Sequence, residues 1–501
     1  MLARFTDLTL GVPVAAGDKA NFIADNAEIK VNGESGTEIN YNCGTLAELD
    51  VSFSLLGVSY DEVSFEKVSG ADLVNLESHA ILQAAGTETI KATVNVEGTQ
   101  FSFNVTLTAT AETVNAVVKY STMDNSAVLP EFDGVSIEKL TLTDGTVIYD
   151  GMNYYSEYIK QHGYGASADN TQSSDYTITV YAYLSNGAIK QITLISYTKV
   201  FTKLSDFEIF TTAQSEVDHR YGYYVLANDI IYSEGDYLEA FGTSASRSEY
   251  NGCTSTWFRG VFDGEGHRIE IALGRHGIFG NTNGAAIKNV SLIIKALNGN
   301  RLATNPGYGS ATVFAFNMSA TSLTDVYVKY DCAETVDVSM LNWGAGSGLG
   351  LGRKVYGNTA IKNVVTDLSS LTITGYGENA WSFGLIYSVT DSTANWVLNN
   401  VFFISPVVKE LGSDRAYTGP ATLGDLNSVL FAVEDAGAMP IASVADSSKV
   451  THLDGAKDSD AHRFDTAEGL KAYFDANAAK LALFTASVWD TSTGLPLPKN
   501  G

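Results

Sequence analysis

The feature that most constrains the fold is a short segment that recurs four times between residues 286 and 405. AIKNVSLII, SLTDVYVKY, AIKNVVTDL and VLNNVFFIS align on Asn289, Asp325, Asn363 and Asn400, at intervals of 36, 38 and 37 residues. An apolar residue stands two positions before each aligned residue, and Val always follows it. A steady period of this length indicates structural units that stack on one another.

The apolar positions within each segment predict a bent strand. Alternate residues of a regular strand face the same side. Here the apolar residues stand two places before the aligned Asn or Asp and one and three places after it, so the alternation shifts at that residue. Asn and Asp tolerate left-handed backbone geometry. We therefore expect a bend at Asn289, Asp325, Asn363 and Asn400, and a ladder of their side chains at one corner of a parallel β-solenoid.

A resemblance to a known architecture agrees with this prediction. FRGVFDGEGHRI, GIFG and GAAIKNV together resemble the GLUG-like, pectate-lyase-like right-handed β-helices of bacterial surface and phage proteins. The resemblance covers about residues 222–425 and implies a right-handed parallel β-helix with coils of about 37 residues over 203–425. Adhesins, spikes and polysaccharide lyases all use such helices, so it implies no single chemistry.

The C-terminal part reads as a cap over 426–501. RFDTAEGLKAYFDANAAKLALF (463–484) predicts one helix with Asp465 as its N-cap, and Trp489 follows as an anchor. We expect this segment to cover the open end of the solenoid, because uncovered edge strands invite aggregation.

The N-terminal part predicts β-sandwich modules. Apolar residues alternate with polar ones on both sides of Glu97-Gly98 in the segment GTETIKATVNVEGTQFSFNVTLTAT (86–110). This pattern is typical of an antiparallel hairpin. GTETIKATV and FSFNVTLT resemble the last strands of bacterial immunoglobulin-like domains of group 2, which are spacers in surface adhesins and phage virion proteins. The resemblance implies an immunoglobulin-like β-sandwich over 1–113, with no catalytic residues.

A second β unit follows over 114–202. Its hairpin turns are predicted at Asp144-Gly145 and at Asn186-Gly187, the latter as a type I′ turn. We expect a second β-sandwich-like domain or a β linker domain. The predicted fold class is therefore all-β: immunoglobulin-like modules, a right-handed parallel β-solenoid and a short helical cap.

Charge and composition exclude several partners. Asp and Glu number 57 against 31 Lys and Arg, a net charge of −26, which repels nucleic-acid phosphates and anionic membranes. No apolar run is long enough for membrane insertion. Cys43, Cys253 and Cys332 lie far apart, so neither a disulfide framework nor a cysteine metal site is indicated. The N-terminal apolar stretch is interrupted and predicts no signal peptide.

Asp263, Glu265 and His267 are the most compact candidates for chemistry. Two carboxylates and an imidazole within five residues could bind a metal or move protons, but a hairpin turn with Gly264 and Gly266 at positive φ explains the same residues. Polysaccharide cleavage needs paired carboxylates or a base beside a cation, and acids do not recur in matching columns of the repeat. We favour the hairpin and expect no catalytic residues, no metal site and no cofactor.

Aromatic residues in predicted loops are the candidate binding residues. Flat aromatic faces beside polar groups suit sugars or protein partners, although packing between domains or coils explains most such residues. The set comprises Tyr154, Tyr155, Tyr158, Tyr164, Trp257, Trp343, Tyr376 and Trp381.

These observations predict a non-enzymatic structural or adhesive protein of a phage virion, such as a fibre, spike or capsid decoration. The chain starts with Met1, so we expect a complete reading frame that lysis exposes to the extracellular medium without secretion. A bacterial cell-surface or secreted adhesin is the first alternative, and a polysaccharide lyase or glycoside hydrolase on the β-helix is the second. Expected partners are virion or cell-surface proteins, with surface polysaccharide and homotrimer formation left open, and nucleic acid excluded.

Overall fold

The computed structural model describes a mostly β chain in two compact units. The described residues up to Ser196 form the first unit, and those from Tyr197 onwards form the second. The finer division into four parts stays a prediction. The described residues are 16–162, 177–207, 221–231, 233, 237–238, 258–273, 278–279, 281–297, 311–332, 335–337, 347–356, 358–375, 381–382, 386–389, 397–404, 407–411, 461–464, 466–486 and 488–499. Within them, no helix is long and apolar enough to cross a membrane.

The first unit holds two helices and fourteen strands among its described residues. In chain order they are α1 (Ala16–Asn26), β1 (Ala27–Val31), β2 (Glu34–Ser35), β3 (Glu38–Asn42), β4 (Val51–Leu55), β5 (Val58–Tyr60), β6 (Val63–Gly70), β7 (Gly86–Val96), β8 (Thr99–Thr110), β9 (Glu112–Ser121), β10 (Ser126–Val128), β11 (Ile137–Thr141), β12 (Val147–Tyr149), α2 (Ser156–His162), β13 (Thr177–Leu184) and β14 (Ile189–Tyr197).

The first module, α1 with β1–β8, consists of two sheets around one core. Their orders are β2-β1-β4-β5 and β3-β8-β7-β6, and every pair is antiparallel except β3 with β8. Val31 of the first sheet shares a fully buried cluster with Ile90 and Val105 of the second. The hairpin predicted at 86–110 is confirmed as β7 and β8, and Glu97 (φ +51°) and Gly98 (φ +80°) form its type I′ turn.

A buried carboxylate fixes a loop of this module. Glu88, 1% exposed, accepts the backbone N–H groups of Leu73 at 2.6 Å and Val74 at 3.1 Å. Burial raises the pKa of Glu88, while these two hydrogen bonds and the charge of Lys67 oppose the shift. The side chain thus satisfies two loop donors at the cost of burying its charge.

The second module, β9–β14 with α2, is one six-stranded sheet in the order β10-β9-β14-β13-β11-β12. Ile159 of α2 packs into its core against Val180 and Leu194. The predicted type I′ turn at Asn186-Gly187 is wrong, because only Gly187 has positive φ, at +83°. The N–H of Leu184 donates to the carbonyl of Ala188, which closes a three-residue loop with glycine at its left-handed position.

The second unit consists chiefly of short strands. In chain order they are β15 (Lys199–Phe201), β16 (Tyr223–Leu226), β17 (Tyr237–Leu238), β18 (Val261–Asp263), β19 (Arg268–Leu273), β20 (Asn281–Asn283), β21 (Ala286–Leu297), β22 (Ala311–Ser319), β23 (Ser322–Tyr330), β24 (Thr335–Asp337), β25 (Ser347–Tyr356), β26 (Ala360–Asp367), β27 (Thr372–Gly375), β28 (Trp381–Ser382), β29 (Ile386–Val389), β30 (Val397–Ile404), β31 (Val407–Leu411), β32 (Ala461–Phe464), β33 (Trp489–Asp490) and β34 (Leu497–Pro498). The helices among its described residues are a 3₁₀ turn (Leu204–Phe207), α3 (Ala467–Ala476) and α4 (Ala478–Leu481).

Parallel pairing organises these strands into three sheets, apart from β33 and β34, which pair with each other antiparallel. The largest has the order β15-β16-β18-β21-β23-β26-β30-β32, with β19 also pairing with β21. The second contains β20, β22, β25, β28 and β29, and the third contains β24, β27 and β31. The pairing follows the sequence repeat, since Ile287 pairs with Leu323, Leu323 with Ile361, and Ile361 with Leu398.

The predicted bend is present in each of the four repeated strands. The φ angles of the aligned residues are +53°, +54°, +52° and +58° at Asn289, Asp325, Asn363 and Asn400. A left-handed residue shifts the alternation, so the residues before and after it face the same interior. The Val that follows each bend is at most 1% exposed within one shared core.

The C-terminal tail, residues 466–499, lies against the outward side of the largest sheet. α3 begins after Thr466, whose Oγ1 accepts the N–H of Gly469 at 3.1 Å; the predicted N-cap, Asp465, lies outside the described residues. The helix ends at Asn477 rather than continuing as one helix to 484. A short turn of helix, α4, follows directly.

Aromatic packing holds this tail to three successive strands. Phe474 lies 4.7 Å from Phe402 of β30, and Trp489 lies 6.2 Å from Tyr327 of β23, both between ring centroids. Val365 of β26 belongs to the same buried cluster. The tail therefore contacts β23, β26 and β30, a wider contact than a cover over one end of the sheet.

Candidate functional site

The segment around Asp263 is a bend between two strands that pair in parallel with the same neighbouring strand. The predicted hairpin is therefore wrong. β18 and β19, on either side of it, both pair in parallel with β21. The N–H of Gly264 donates to Lys288 O at 2.9 Å and that of Gly266 to Asn289 O at 2.8 Å, so the segment follows its neighbour through the bend.

Glycine is required at Gly264 for space rather than for positive φ. A Cβ there would stand 2.4 Å from the carbonyl oxygen of Asn289. The positive φ angles belong to Glu265, at +49°, and Gly266, at +85°. Hairpins and bends use the same turn residues, which is why the sequence could not separate them.

Asp263 is 5% exposed, and both of its carboxylate oxygens have structural partners. Oδ1 accepts the N–H of Glu265 and the Nδ2 of Asn289, each at 3.0 Å. Oδ2 accepts the hydroxyl of Tyr223 and pairs with Lys288 Nζ, each at 3.0 Å. A buried carboxylate with four such partners has a structural role, because it joins the bend to the neighbouring strands.

Glu265 and His267 point to partners different from those of Asp263. The hydroxyl of Tyr197 donates to Glu265 Oε1 at 3.0 Å. Burial, reinforced by the charge of Glu265, raises the pKa of Tyr197 far above its usual value. His267 Nδ1 lies 3.1 Å from Asp229 Oδ1. Among the residues that the structure describes, no group of three His, Cys, Asp or Glu is placed to hold a metal ion.

The four aligned residues stand side by side, and three of them are joined by hydrogen bonds. Asn400 Nδ2 donates to Asn363 Oδ1 at 3.1 Å, and Asn363 Nδ2 donates to Asp325 Oδ1 at 3.0 Å. Asn289 instead donates to Asp263. The Asp325 carboxylate is thus an acceptor within the ladder.

The same ladder also binds the tail. Trp489 Nε1 donates to Asp325 Oδ1 at 3.2 Å. Asn363 Nδ2 donates to Leu483 O at 3.2 Å, and Asn400 Nδ2 to Lys480 O at 3.3 Å. These bonds join the end of α4 to the ladder, where Lys480 O also accepts the N–H of Leu483 at 3.2 Å.

The predicted aromatic residues of the second module separate into buried and exposed members. Tyr154 packs inward, with its ring 4.5 Å from that of Tyr149 between centroids. Tyr155 and Tyr158 are 36% and 38% exposed and line one open groove. Trp381 begins β28, and its side chain, together with Tyr164, Trp257, Trp343 and Tyr376, lies outside the described residues.

A loop carboxylate positions one of these tyrosines. Asp150 accepts the N–H of Asn153 at 2.7 Å, the hydroxyl of Tyr155 at 2.8 Å and the N–H of Met152 at 3.0 Å. These bonds, that of Asn153 foremost, hold the pKa of Asp150 well below its usual value. The carboxylate is therefore charged wherever the protein is folded at ordinary pH, and it fixes the Tyr155 ring.

Sequence reasoning missed two residues of this groove. Tyr183 of β13 lines it, and Lys139 of β11 places its Nζ 3.8 Å from the centroid of the Tyr183 ring, a cation–π distance. Burial lowers the pKa of Lys139, and the charge of Asp72 opposes the shift. Both residues lie within strands, whereas the predicted binding residues lie in or beside loops.

The surface beneath the tail was also missed, although the sequence carries a signal for it. The residue two places after the bend faces outward and should be polar on a solvated sheet. It is Ser291 in the first segment but Tyr327, Val365 and Phe402 in the next three. All three are buried by the tail.

Comparisons with known proteins add little to these observations. No protein-family model matches the chain, and no curated protein matches it. Solved structures that are similar in part include the fibronectin(III)-like modules of Clostridium thermocellum CbhA (14% identity, TM-score 0.12, 34% of this chain and 93% of that one) and human protocadherin-24 EC1-2 (13% identity, TM-score 0.12, 32% and 95%). A likeness at these TM-scores carries no argument about fold or function.

Proposed function

We propose that this chain is a non-enzymatic structural protein of a phage virion that contacts the bacterial surface. One observation carries the structural role: the carboxylates at the bends are used to hold the strands together. Asp263 has four partners within the fold, and Asp325 accepts from both Asn363 and Trp489. Carboxylates whose oxygens bond to neighbouring strands support a structural role rather than a role in hydrolysis.

We further propose that the three parallel sheets are the faces of a right-handed β-solenoid. Strands of the second, first and third sheets follow one another in the chain as β22, β23 and β24, and again as β25, β26 and β27. Parallel strands of one sheet are joined by right-handed crossovers in nearly all proteins, which supports the proposed hand. Repeated turns of this kind make long, stiff bodies.

The first module supports the resemblance to immunoglobulin-like spacers. Its two sheets share one core, and the edge strand β3 pairs in parallel with β8, whereas β7 pairs with β8 antiparallel. A spacer followed by a stiff repeated body suits a particle that reaches towards a cell surface.

Immunogold electron microscopy of purified phage particles tests the proposal. An antibody against the chain should label intact virions at one structural position, and antibody pre-absorbed with the purified chain is the control. Absence from particles together with wall-bound protein in uninfected cells would replace the proposal with the bacterial adhesin. A fall in the chain length of host capsule on incubation with the protein would replace it with a polysaccharide depolymerase.

A further inference from the structure

We infer that the groove beside Tyr155 on the second module binds an uncharged glycan chain. This inference rests on the proposed function, since it names the surface component that the particle would contact. The tyrosine groove is defined by Tyr155, Tyr158 and Tyr183 and lies wholly within the first unit.

Hydrogen bonds position two of the three tyrosines of the groove. Tyr155 immediately precedes α2 and Tyr158 lies in its first turn, and both rings remain more than one-third exposed. Asp150 fixes Tyr155 through its hydroxyl at 2.8 Å, and Tyr183 accepts the N–H of Ala85 at 3.2 Å. Rings that are already positioned lose little conformational entropy on binding.

The polar residues of the groove select the charge of that ligand. Among the side chains that the structure describes, the carboxylates of Glu138, Asp150 and Glu157 line it together with the ammonium group of Lys139. Glu138 and Glu157 are exposed, so their oxygens face solvent and can accept hydrogen bonds from hydroxyl groups. Three negative charges against one, on a chain with a net charge of −26, repel uronates, sialic acids and phosphate-linked polymers.

The shape of the groove favours a chain over a small enclosed ligand. A second open depression, lined by Met152, shares Glu138 and Asp150 with the tyrosine groove. Because the two depressions share these residues they adjoin each other, so a linear chain can place sugar rings in both. Tyrosine faces pack against the C–H faces of sugars, while carboxylates bind their hydroxyl groups.

Binding of the full chain to immobilised oligosaccharides tests this inference. The probes are hexamers of glucose, galactose, mannose and N-acetylglucosamine as neutral chains, with hexagalacturonate as the acidic chain. At least one neutral hexamer should bind, and the double variant Tyr155→Ala/Tyr158→Ala should bind it at least tenfold more weakly. Phe22→Ala, which removes an aromatic residue 40% exposed on α1, is the matched control and should bind as the unmodified chain does.

A charge reversal tests the selectivity separately. Glu138→Lys/Glu157→Lys should raise the affinity for hexagalacturonate at least tenfold. The inference is overturned if no neutral hexamer binds at millimolar concentration, if the tyrosine variant binds as well as the unmodified chain, or if the unmodified chain prefers the acidic hexamer. Each of these results leaves the labelling of virions unaffected, so the two proposals fail independently.

Discussion

Replacing Asn363 separates the two contributions that the ladder makes to stability. Its Nδ2 donates to Asp325 Oδ1 and Leu483 O, its Oδ1 accepts from Asn400, and its backbone is left-handed at φ +52°. Asn363→Gly removes three hydrogen bonds but keeps the left-handed conformation without strain. Asn363→Ala removes the same bonds and adds that strain.

The expected losses differ by a measurable amount. A buried hydrogen bond contributes about 0.5–1.5 kcal/mol net, so Asn363→Gly should lower the free energy of unfolding by about 2–4 kcal/mol. A left-handed alanine costs roughly 1 kcal/mol more than glycine, so Asn363→Ala should lose about 3–5 kcal/mol. Ala320→Gly is the matched control, because Ala320 is exposed at φ +46° and lies outside the ladder. It should gain about 1 kcal/mol.

Urea unfolding followed by tryptophan fluorescence measures these differences. All five tryptophans lie at residue 257 or beyond, so the signal reports on the second unit alone. Equal losses for Asn363→Gly and Asn363→Ala would refute the role of the left-handed backbone. Losses below about 0.5 kcal/mol for both would refute the energetic role of the ladder, since surface substitutions commonly fall within that range.

Substitutions at three further residues test other parts of the fold. Glu88→Ala leaves two buried backbone N–H groups without an acceptor and should cost about 2–4 kcal/mol, seen as faster amide hydrogen exchange at those groups. Glu88→Gln keeps a side-chain oxygen as the acceptor. Because burial raises the pKa of Glu88, the unmodified chain should lose stability relative to this variant as the pH rises from 4.5 through the raised pKa. A stability difference that stays constant over this pH range would contradict the raised pKa. Trp489→Phe loses the bond to Asp325 but keeps an aromatic ring, so it should cost about 1–2 kcal/mol and speed proteolysis of the tail, whereas unchanged proteolysis would argue against that bond. Gly264→Ala places a Cβ against the carbonyl of Asn289 and should cost about 1–3 kcal/mol in urea unfolding; a neutral result would contradict the close approach.

The repeated strands could be predicted because their signal is local. The apolar positions around Asn363 show both the strand and its bend, and the constant interval shows which strands pair. The hairpin of β7 and β8 was predictable for the same reason, since its turn residues and alternation lie within 25 residues.

The parts that could not be predicted depend on partners distant in sequence. Gly264 and Gly266 suit a hairpin and a bend equally, and only the pairing of β18 and β19 with β21 separates the two. The helix of the tail was predictable from its apolar stripe, but the surface that it covers was not. For the tyrosine groove, Tyr154 and Tyr155 are adjacent in the sequence, and the stacking of Tyr154 on Tyr149 decides which of them is exposed.

The position of the tail has a consequence for the order of folding during synthesis. The tail covers β23, β26 and β30 but is made after all three, so these strands must pair before it can dock. Until then Tyr327, Val365 and Phe402 form an apolar row on the outside of the sheet. Such surfaces bind chaperones or other copies of the same chain at this stage. Completion of the tail therefore ends the period in which the nascent protein is vulnerable to aggregation.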